Sequence, residues 1–184
     1  ASISDMLNAF SDVASTPTDL TARTVALTRI DETASRMRAA SQSLDDLQQG
    51  VDQELRQKVS AVNSLAQGIA DVNNQIAKAT GSGQPPNDLL DRRAQLVREL
   101  NRYVQTTSIP ADDGSVGIFL AGSQPLVLGT TVSPVSIVPD DFGDPLKNKL
   151  AMSRNGNLVV MDENALGGGE VAGLLRFQNS DLLE

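Results

Sequence analysis

The residues that could do chemistry in this chain are few, because histidine and cysteine are both absent from its 184 residues. Without them no histidine-dependent triad, cysteine nucleophile, thiolate zinc site or disulfide can form. A metal would need oxygen ligands, which suit calcium or magnesium. Asp140, Asp141 and Asp144 offer three carboxylates, but they lack the spacing and the glycine of an EF-hand loop. We therefore interpret them as a solvated acidic loop and expect no tight divalent metal.

Two more motifs could be taken for reactive sites. Asp112 and Asp113 could be the paired acids of a glycosidase, but they lie in a predicted hairpin turn, where neighbours rarely face each other across a cleft. The triple glycine 167–169 could cradle a phosphate, yet no P-loop lysine follows it. We expect a flexible joint before a helix. No residue is assigned to catalysis or to a cofactor, and a carboxylate-based hydrolase is the weakest hypothesis.

The charges of the chain also point away from nucleic acid. There are 15 basic and 23 acidic residues, a net charge of −8, whereas phosphate binding needs clustered Lys and Arg. Arg92 and Arg93 are interpreted as helix-surface charges, because Asp88, Asp91 and Glu99 surround them. No apolar run approaches the length of a membrane span, and the N-terminus lacks the features of a cleaved secretory signal.

The elements that must position these residues change character near residue 107. Residues 1–107 hold few glycines and prolines, and residues 108–184 hold most of both. The sequence therefore predicts an α+β fold. An elongated, coiled-coil-like antiparallel helical rod would occupy 1–107, a small antiparallel β domain 108–169, and the start of a helix returning to the rod 170–184. The predicted helices of the rod span about 4–15, 18–80 and 88–104.

The long helix carries an unbroken seven-residue repeat. With Leu27 at position a, thirteen of the sixteen a and d positions over eight heptads are apolar, which is typical of a left-handed coiled-coil seam. Such a helix would be roughly 95 Å long. Ser41, Gln48 and Lys58 interrupt the seam; they either fix register and partner choice or lie where the rod is uncovered. The seam residues that we expect to pack against a partner are Leu27, Ile30, Met37, Leu44, Val51, Leu55, Val62, Leu65, Ile69, Val72 and Ile76.

A glycine- and proline-rich reversal at 81–86 ends the long helix, and Asn87 or Asp88 is expected to cap the next one. That helix covers only part of the seam, so apolar side chains near Ile30, Met37 and Leu44 should be exposed. The final helix, 170–184, reaches the last residue without a stop signal, which suggests a longer protein.

Short β segments follow Gln105. Turns are predicted at Asp112-Asp113-Gly114-Ser115 and at Arg154-Asn155-Gly156-Asn157. The predicted strands are 106–109, 116–121, 126–128, 135–138, 150–153 and 158–161.

Several of these segments resemble a known family. The run Asn63-Ser64-Leu65-Ala66, then Asn73-Asn74-Gln75-Ile76 and the stretch from Ala79 to Arg93, is similar to the helical region of the flagellar hook-associated protein 1 family. Asp112–Val116, Gly122–Gly129 and Gly169–Phe177 resemble its next landmarks, in the same order. The resemblance covers nearly the whole chain, but the terminal segments that line the flagellar core in the family are missing.

The resemblance implies a structural subunit of the bacterial flagellum at the hook–filament junction, exported by the flagellar type III apparatus without a cleaved signal. The implied partners are copies of itself in a ring, the hook protein, and the next junction protein on the filament side. The export chaperone would bind only through the missing C-terminal region. Neither nucleic acid nor a membrane is implied. The alternatives are a type III secretion tip or translocator-like helical protein and a surface adhesin.

Overall fold

The computed structural model describes residues 3–81, 86–140 and 147–182. The chain forms two compact units, Ala1–Gln49 and Gly50–Glu184, and the boundary falls within the longest helix. The division of the sequence at residues 107 and 169 stays a prediction.

The described residues form four α-helices: α1 (Ile3–Ser15), α2 (Leu20–Gly81), α3 (Asn87–Tyr103) and α4 (Glu170–Arg176). Helix α2 begins two residues later than predicted because the carboxylate of Asp19 accepts a hydrogen bond from the backbone N–H of Thr21 at 2.8 Å, which caps the helix. A short 3₁₀ turn, Glu163–Leu166, precedes α4, and a π-helical turn, Phe177–Asp181, follows it.

The start of α3 differs from the prediction. Neither Asn87 nor Asp88 caps it: Pro86 occupies the cap position, and no side chain bonds there. Proline needs no N–H partner at a helix start, and its restricted φ suits this position. Asp88 instead lies in the first turn, where the helix dipole favours an acid.

The strands form two separate antiparallel sheets. The first has the order β1-β2-β3-β4 and the second the order β5-β6-β7. The α+β class is confirmed, with a long helix followed by antiparallel strands and a short helix. The bounds are β1 (Thr106–Pro110), β2 (Val116–Leu120), β3 (Gln124–Leu128), β4 (Thr131–Val132), β5 (Val135–Pro139), β6 (Asn148–Arg154) and β7 (Asn157–Met161). The two-residue strand β4 was not predicted.

The second unit has one hydrophobic core, built around the C-terminal half of α2. Both sheets, α3 and α4 contribute side chains that are almost fully buried, such as Leu100, Ile118, Leu150 and Leu175. Burial on α2 is wider than a coiled-coil seam, because Val59 and Ala66, at heptad position e, are also buried. Since more than one partner packs on the helix, its buried stripe is broader than the a and d rows alone.

The first unit buries much less. Among its described residues, only Ala9, Ala26 and Thr33 are buried, and all three side chains are small. An ion pair at 2.8 Å joins Arg29 and Glu32 on the surface of α2. The large apolar side chains of this unit are mostly exposed.

Candidate assembly site on the long helix

Two asparagines of α2, Asn73 and Asn63, hold the sheets on the helix. Each forms two hydrogen bonds with the backbone of one sheet residue, and we call each of them a clamp. The first, Asn73, is completely buried and sits against the start of β2. Its Nδ2 donates to the backbone carbonyls of Val116 and Gly129, both at 2.9 Å. Its Oδ1 accepts from the backbone N–H of Val116 at 3.2 Å and from Nη1 of Arg93 at 3.1 Å. All the hydrogen-bonding capacity of the amide is used, so it serves Val116 as a neighbouring strand would.

Arg93 was predicted to be a surface charge, and this was wrong. Its guanidinium is half-buried and donates to the backbone carbonyl of Gly114 at 2.7 Å as well as to Asn73. Burial lowers the pKa of Arg93 from its ordinary value. Arg93 therefore joins α3 to α2 and to the β1–β2 turn. The acidic residues near it in the sequence are typical of an exposed helix face and did not indicate these contacts.

The second clamp is Asn63, one heptad and a half nearer the N-terminus of α2. Its Oδ1 accepts from the backbone N–H of Val135 at 2.9 Å, and its Nδ2 donates to the carbonyl of the same residue at 2.8 Å. Asn63 is half-buried, so water has partial access to this contact. The two clamps thus hold one residue near the start of a strand in each sheet.

A third polar group joins the second sheet to the π-helical turn. The Oδ1 of Asn179 accepts from the backbone N–H of Asn148 at 3.1 Å, and its Nδ2 donates to the carbonyl of Asn148 at 2.9 Å. The Nδ2 of Asn148 donates in turn to Asp52 of α2 and to Gln178, each at 3.1 Å. The same two-bond arrangement therefore recurs at a third place.

Lys58 occupies one of the three polar positions on the seam, and its partner lies within the chain. Its Nζ lies 2.6 Å from the carboxylate of Glu170 at the start of α4 and 3.2 Å from that of Glu54. The ammonium also lies 5.9 Å from the ring centroid of Tyr103. The hydrogen bond raises the pKa of Lys58 and lowers that of Glu170, so both stay charged near neutral pH. Of the other two polar positions, Ser41 is exposed and Gln48 half-buried.

The triple glycine packs closely against the end of α3. Gly168 accepts a hydrogen bond from the backbone N–H of Gln105 at 3.0 Å, and Gly169 has a φ of +103°. A Cβ at Gly169 would lie 2.6 Å from the carbonyl oxygen of Tyr103. The sequence predicted a flexible joint; in the structure the glycines allow a tight backbone contact that positions α4.

The predicted seam divides between the two units. In the second unit its side chains are buried or, for Leu65, half-buried and packed on the core. In the first unit Ile30 is half-buried, while Leu27, Met37 and Leu44 are 63%, 55% and 51% exposed. The expected exposure is thus confirmed for Met37 and Leu44. Whether this half of the seam binds a partner stays a prediction. The seam residues that are buried in the second unit are Val51, Leu55, Val62, Ile69, Val72 and Ile76.

The acidic motifs have ordinary roles where the structure describes them. Asp113 accepts a hydrogen bond from the backbone N–H of Ser115 at 2.9 Å, and its contacts with Ser115 lower its pKa. Asp140 pairs with Lys149 at 2.9 Å. Asp141 and Asp144 lie outside the described residues. Within residues 3–81, 86–140 and 147–182 no group of three acidic side chains is placed to hold a metal ion.

The described part of the chain also has no helix that combines the length and the apolarity needed to cross a bilayer. What the molecule presents is a long helix with two sheets clamped to one half and an apolar stripe exposed on the other half. These features define a class of α+β domain built on one long helix.

Comparison with known proteins gives the family. A family model described as the helical domain of the flagellar hook-associated protein FlgK matches residues 1–184. The chain belongs to this family. The flagellar hook-associated protein 1 of Salmonella typhimurium is 31% identical to it over 185 residues, covering 98% of this chain and 33% of that protein. The Escherichia coli protein of the same name is 31% identical over 182 residues, covering 97% of this chain and 33% of that one.

A solved structure, that of the flagellar hook junction protein FlgK from Burkholderia pseudomallei, has the same fold. It aligns with a TM-score of 0.84 and 30% identity, covering 95% of this chain and 32% of that one. The chain therefore spans about a third of the length of the relatives that it matches.

Asn63, Asn73 and Arg93 were not predicted as contact residues, although all three lie in the stretch that carries the family resemblance. One signal was available: Asn73 is a polar residue directly beside the apolar seam, at heptad position e. A polar side chain at such a position is buried only if it is fully hydrogen-bonded.

Proposed function

We propose that this chain forms part of a structural subunit of the bacterial flagellum at the junction between hook and filament. It would act without catalysis, by packing against copies of itself and against the neighbouring hook and filament-side proteins. The observation that carries the proposal is the match of the whole chain to the hook-associated FlgK helical domain. Export without a cleaved signal belongs to the same proposal.

The exposed half of the seam supports a role in packing. Leu27, Met37, Leu44 and Leu47 are 44–63% exposed on α2, and covering one such side chain contributes about 1–2 kcal/mol. We propose that this stripe is covered by another helical segment in the assembled junction. Nothing in the described residues favours the secretion-tip or adhesin alternatives.

Location is the first test of this proposal. An antibody raised against this chain, detected by gold labelling on isolated flagella of the source bacterium, is expected to label the boundary between hook and filament. Label spread along the filament, or on the cell surface away from flagella, would contradict the proposal.

The seam is tested separately with the whole protein in cells that lack the native copy. Met37→Lys and Leu44→Lys are expected to reduce filament attachment and swimming. Leu128→Lys, which changes a similarly exposed apolar side chain of β3, is the matched control. All three variants of the 184-residue chain should melt like the parent, because the side chains are exposed. Normal swimming with both seam variants would refute the packing role.

A further inference from the structure

Sheet edges expose unpaired backbone groups, and most edges of the described strands are obstructed in part. At β1 the N–H of Thr106 donates to Oδ1 of Asn101 at 2.9 Å, and Pro110 has no N–H to offer. At β5 the Asn63 clamp takes both backbone groups of Val135. Strand β4 is only two residues long. On β1 only Ser108, between these two positions, keeps outward N–H and C=O groups without a described partner. The edge of β7 has none of these obstructions.

The edge of β7 is open and apolar. The two-residue turn pairs Arg154 with Asn157, so alternate residues from Asn157 onward bond to β6. The N–H and C=O groups of Leu158 and Val160 consequently point away from the sheet, and no hydrogen bond from another described residue reaches them. Their side chains are 60% and 52% exposed. A strand with these properties readily pairs with another chain.

The two ends of β7 carry opposite charges. Arg154, at the turn, is exposed and forms no ion pair with any residue the structure describes. Asp162 and Glu163 follow the other end, and the nearby Lys149 is already paired with an aspartate. Antiparallel pairing with an identical strand would bring each positive end beside a negative end, whereas parallel pairing would bring like charges together.

We propose that β7 pairs with β7 of a second copy of this chain, antiparallel and two-fold symmetric about Val159. Leu158 of each copy would lie opposite Val160 of the other, with four new backbone hydrogen bonds. The two three-stranded sheets would join into one sheet of six strands. Because a two-fold contact closes on itself, it is distinct from the head-to-tail contacts of a ring and does not depend on the proposed function.

The test uses the absence of native cysteine. In the proposed register Val159 faces Val159 of the second copy as a pair without hydrogen bonds, with Cα atoms about 4.5 Å apart, which suits a disulfide. Val159→Cys is therefore expected to form covalent dimers under mild oxidation. Ser108→Cys is the matched control and should stay monomeric, because pairing around it is obstructed by the engaged N–H of Thr106 on one side and by Pro110 on the other. Adding Val160→Lys to Val159→Cys should abolish the cross-link.

A second measurement leaves β7 unaltered. Hydrogen exchange of the Leu158 and Val160 amides should slow as the concentration of the unmodified chain rises about a hundredfold, since small interfaces are weak. Three outcomes would each overturn the proposal: Val159→Cys cross-linking no faster than Ser108→Cys, indifference to Val160→Lys, or exchange independent of concentration. If the chains associate through another surface, Val159→Cys would cross-link no faster than Ser108→Cys.

Discussion

Replacing Asn73 by alanine should remove more stability than any other single polar change on α2. The substitution leaves the N–H and the C=O of Val116 without their partners, at a residue that is only 9% exposed. A stranded buried backbone group costs about 1–3 kcal/mol. Arg93 keeps its bond to the Gly114 carbonyl, and Gly129 is only half-buried, so these groups contribute little. We expect a loss of about 3–4 kcal/mol, a large part of a domain's usual stability.

The loss can be measured in the second unit alone. Tyr103 is the only tyrosine, and the chain has no tryptophan, so urea unfolding followed by tyrosine fluorescence reports on the unit that contains the clamp. Asn73→Ala should lower the midpoint without changing the slope of the transition.

Two matched variants give the expected order of effects. Asn74→Ala changes the exposed neighbour of the clamp and should cost less than about 0.5 kcal/mol. Asn63→Ala removes the half-buried clamp, where water can replace the amide, and should cost about 1–2 kcal/mol. If Asn73→Ala unfolds at the same urea concentration as Asn74→Ala, the account of the clamp is wrong.

Three other changes test local contacts. The pKa of Glu170 is lowered by Lys58, so the stability from this pair is present above the ordinary carboxyl pKa and is lost as pH falls through the lowered value. Glu170→Gln should therefore destabilise by up to about 1 kcal/mol at pH 7, and the difference in urea midpoint from the parent should shrink as pH falls below the ordinary carboxyl pKa. Gly169→Ala should cost at least about 2 kcal/mol in thermal melts, because its Cβ would clash with a backbone carbonyl, whereas Gly173→Ala, where a Cβ meets nothing, should be neutral or stabilising. Asn155 has a φ of +50°, so Asn155→Val should lower the melting temperature by an amount equivalent to about 1–2 kcal/mol, and Asn155→Gly should not.

Local patterns were enough to predict most of the elements. The heptad repeat gave α2 within two residues at its start, because the period of a helix is set by neighbours three and four residues away. The Asn155-Gly156 pair correctly predicted the β6–β7 hairpin; both residues have positive φ, at +50° and +82°, as a two-residue hairpin turn requires. These signals involve residues close together in the chain, so one sequence contains them.

Contacts between distant residues were not predictable in the same way. Asn73 bonds to a strand 43 positions later, and Lys58 bonds to a carboxylate 112 positions later. Their residue types alone fit a helix surface equally well. Gly169 shows the same limit: its need for a positive φ and a close backbone contact comes from the end of α3, which no local pattern indicates.

The two clamps on α2 restrict how the length of this helix can vary. Asn63 and Asn73 are ten residues apart, which corresponds to a rise of about 15 Å and an angular offset of about 80° around the helix axis. An insertion or deletion of one residue between them would rotate one clamp by about 100° relative to the other and detach one of the two sheets. Even a seven-residue insertion, which nearly restores the angle, would separate the sheets by about 10 Å more. Variation in the length of α2 is therefore compatible with this fold only outside the segment between the two asparagines.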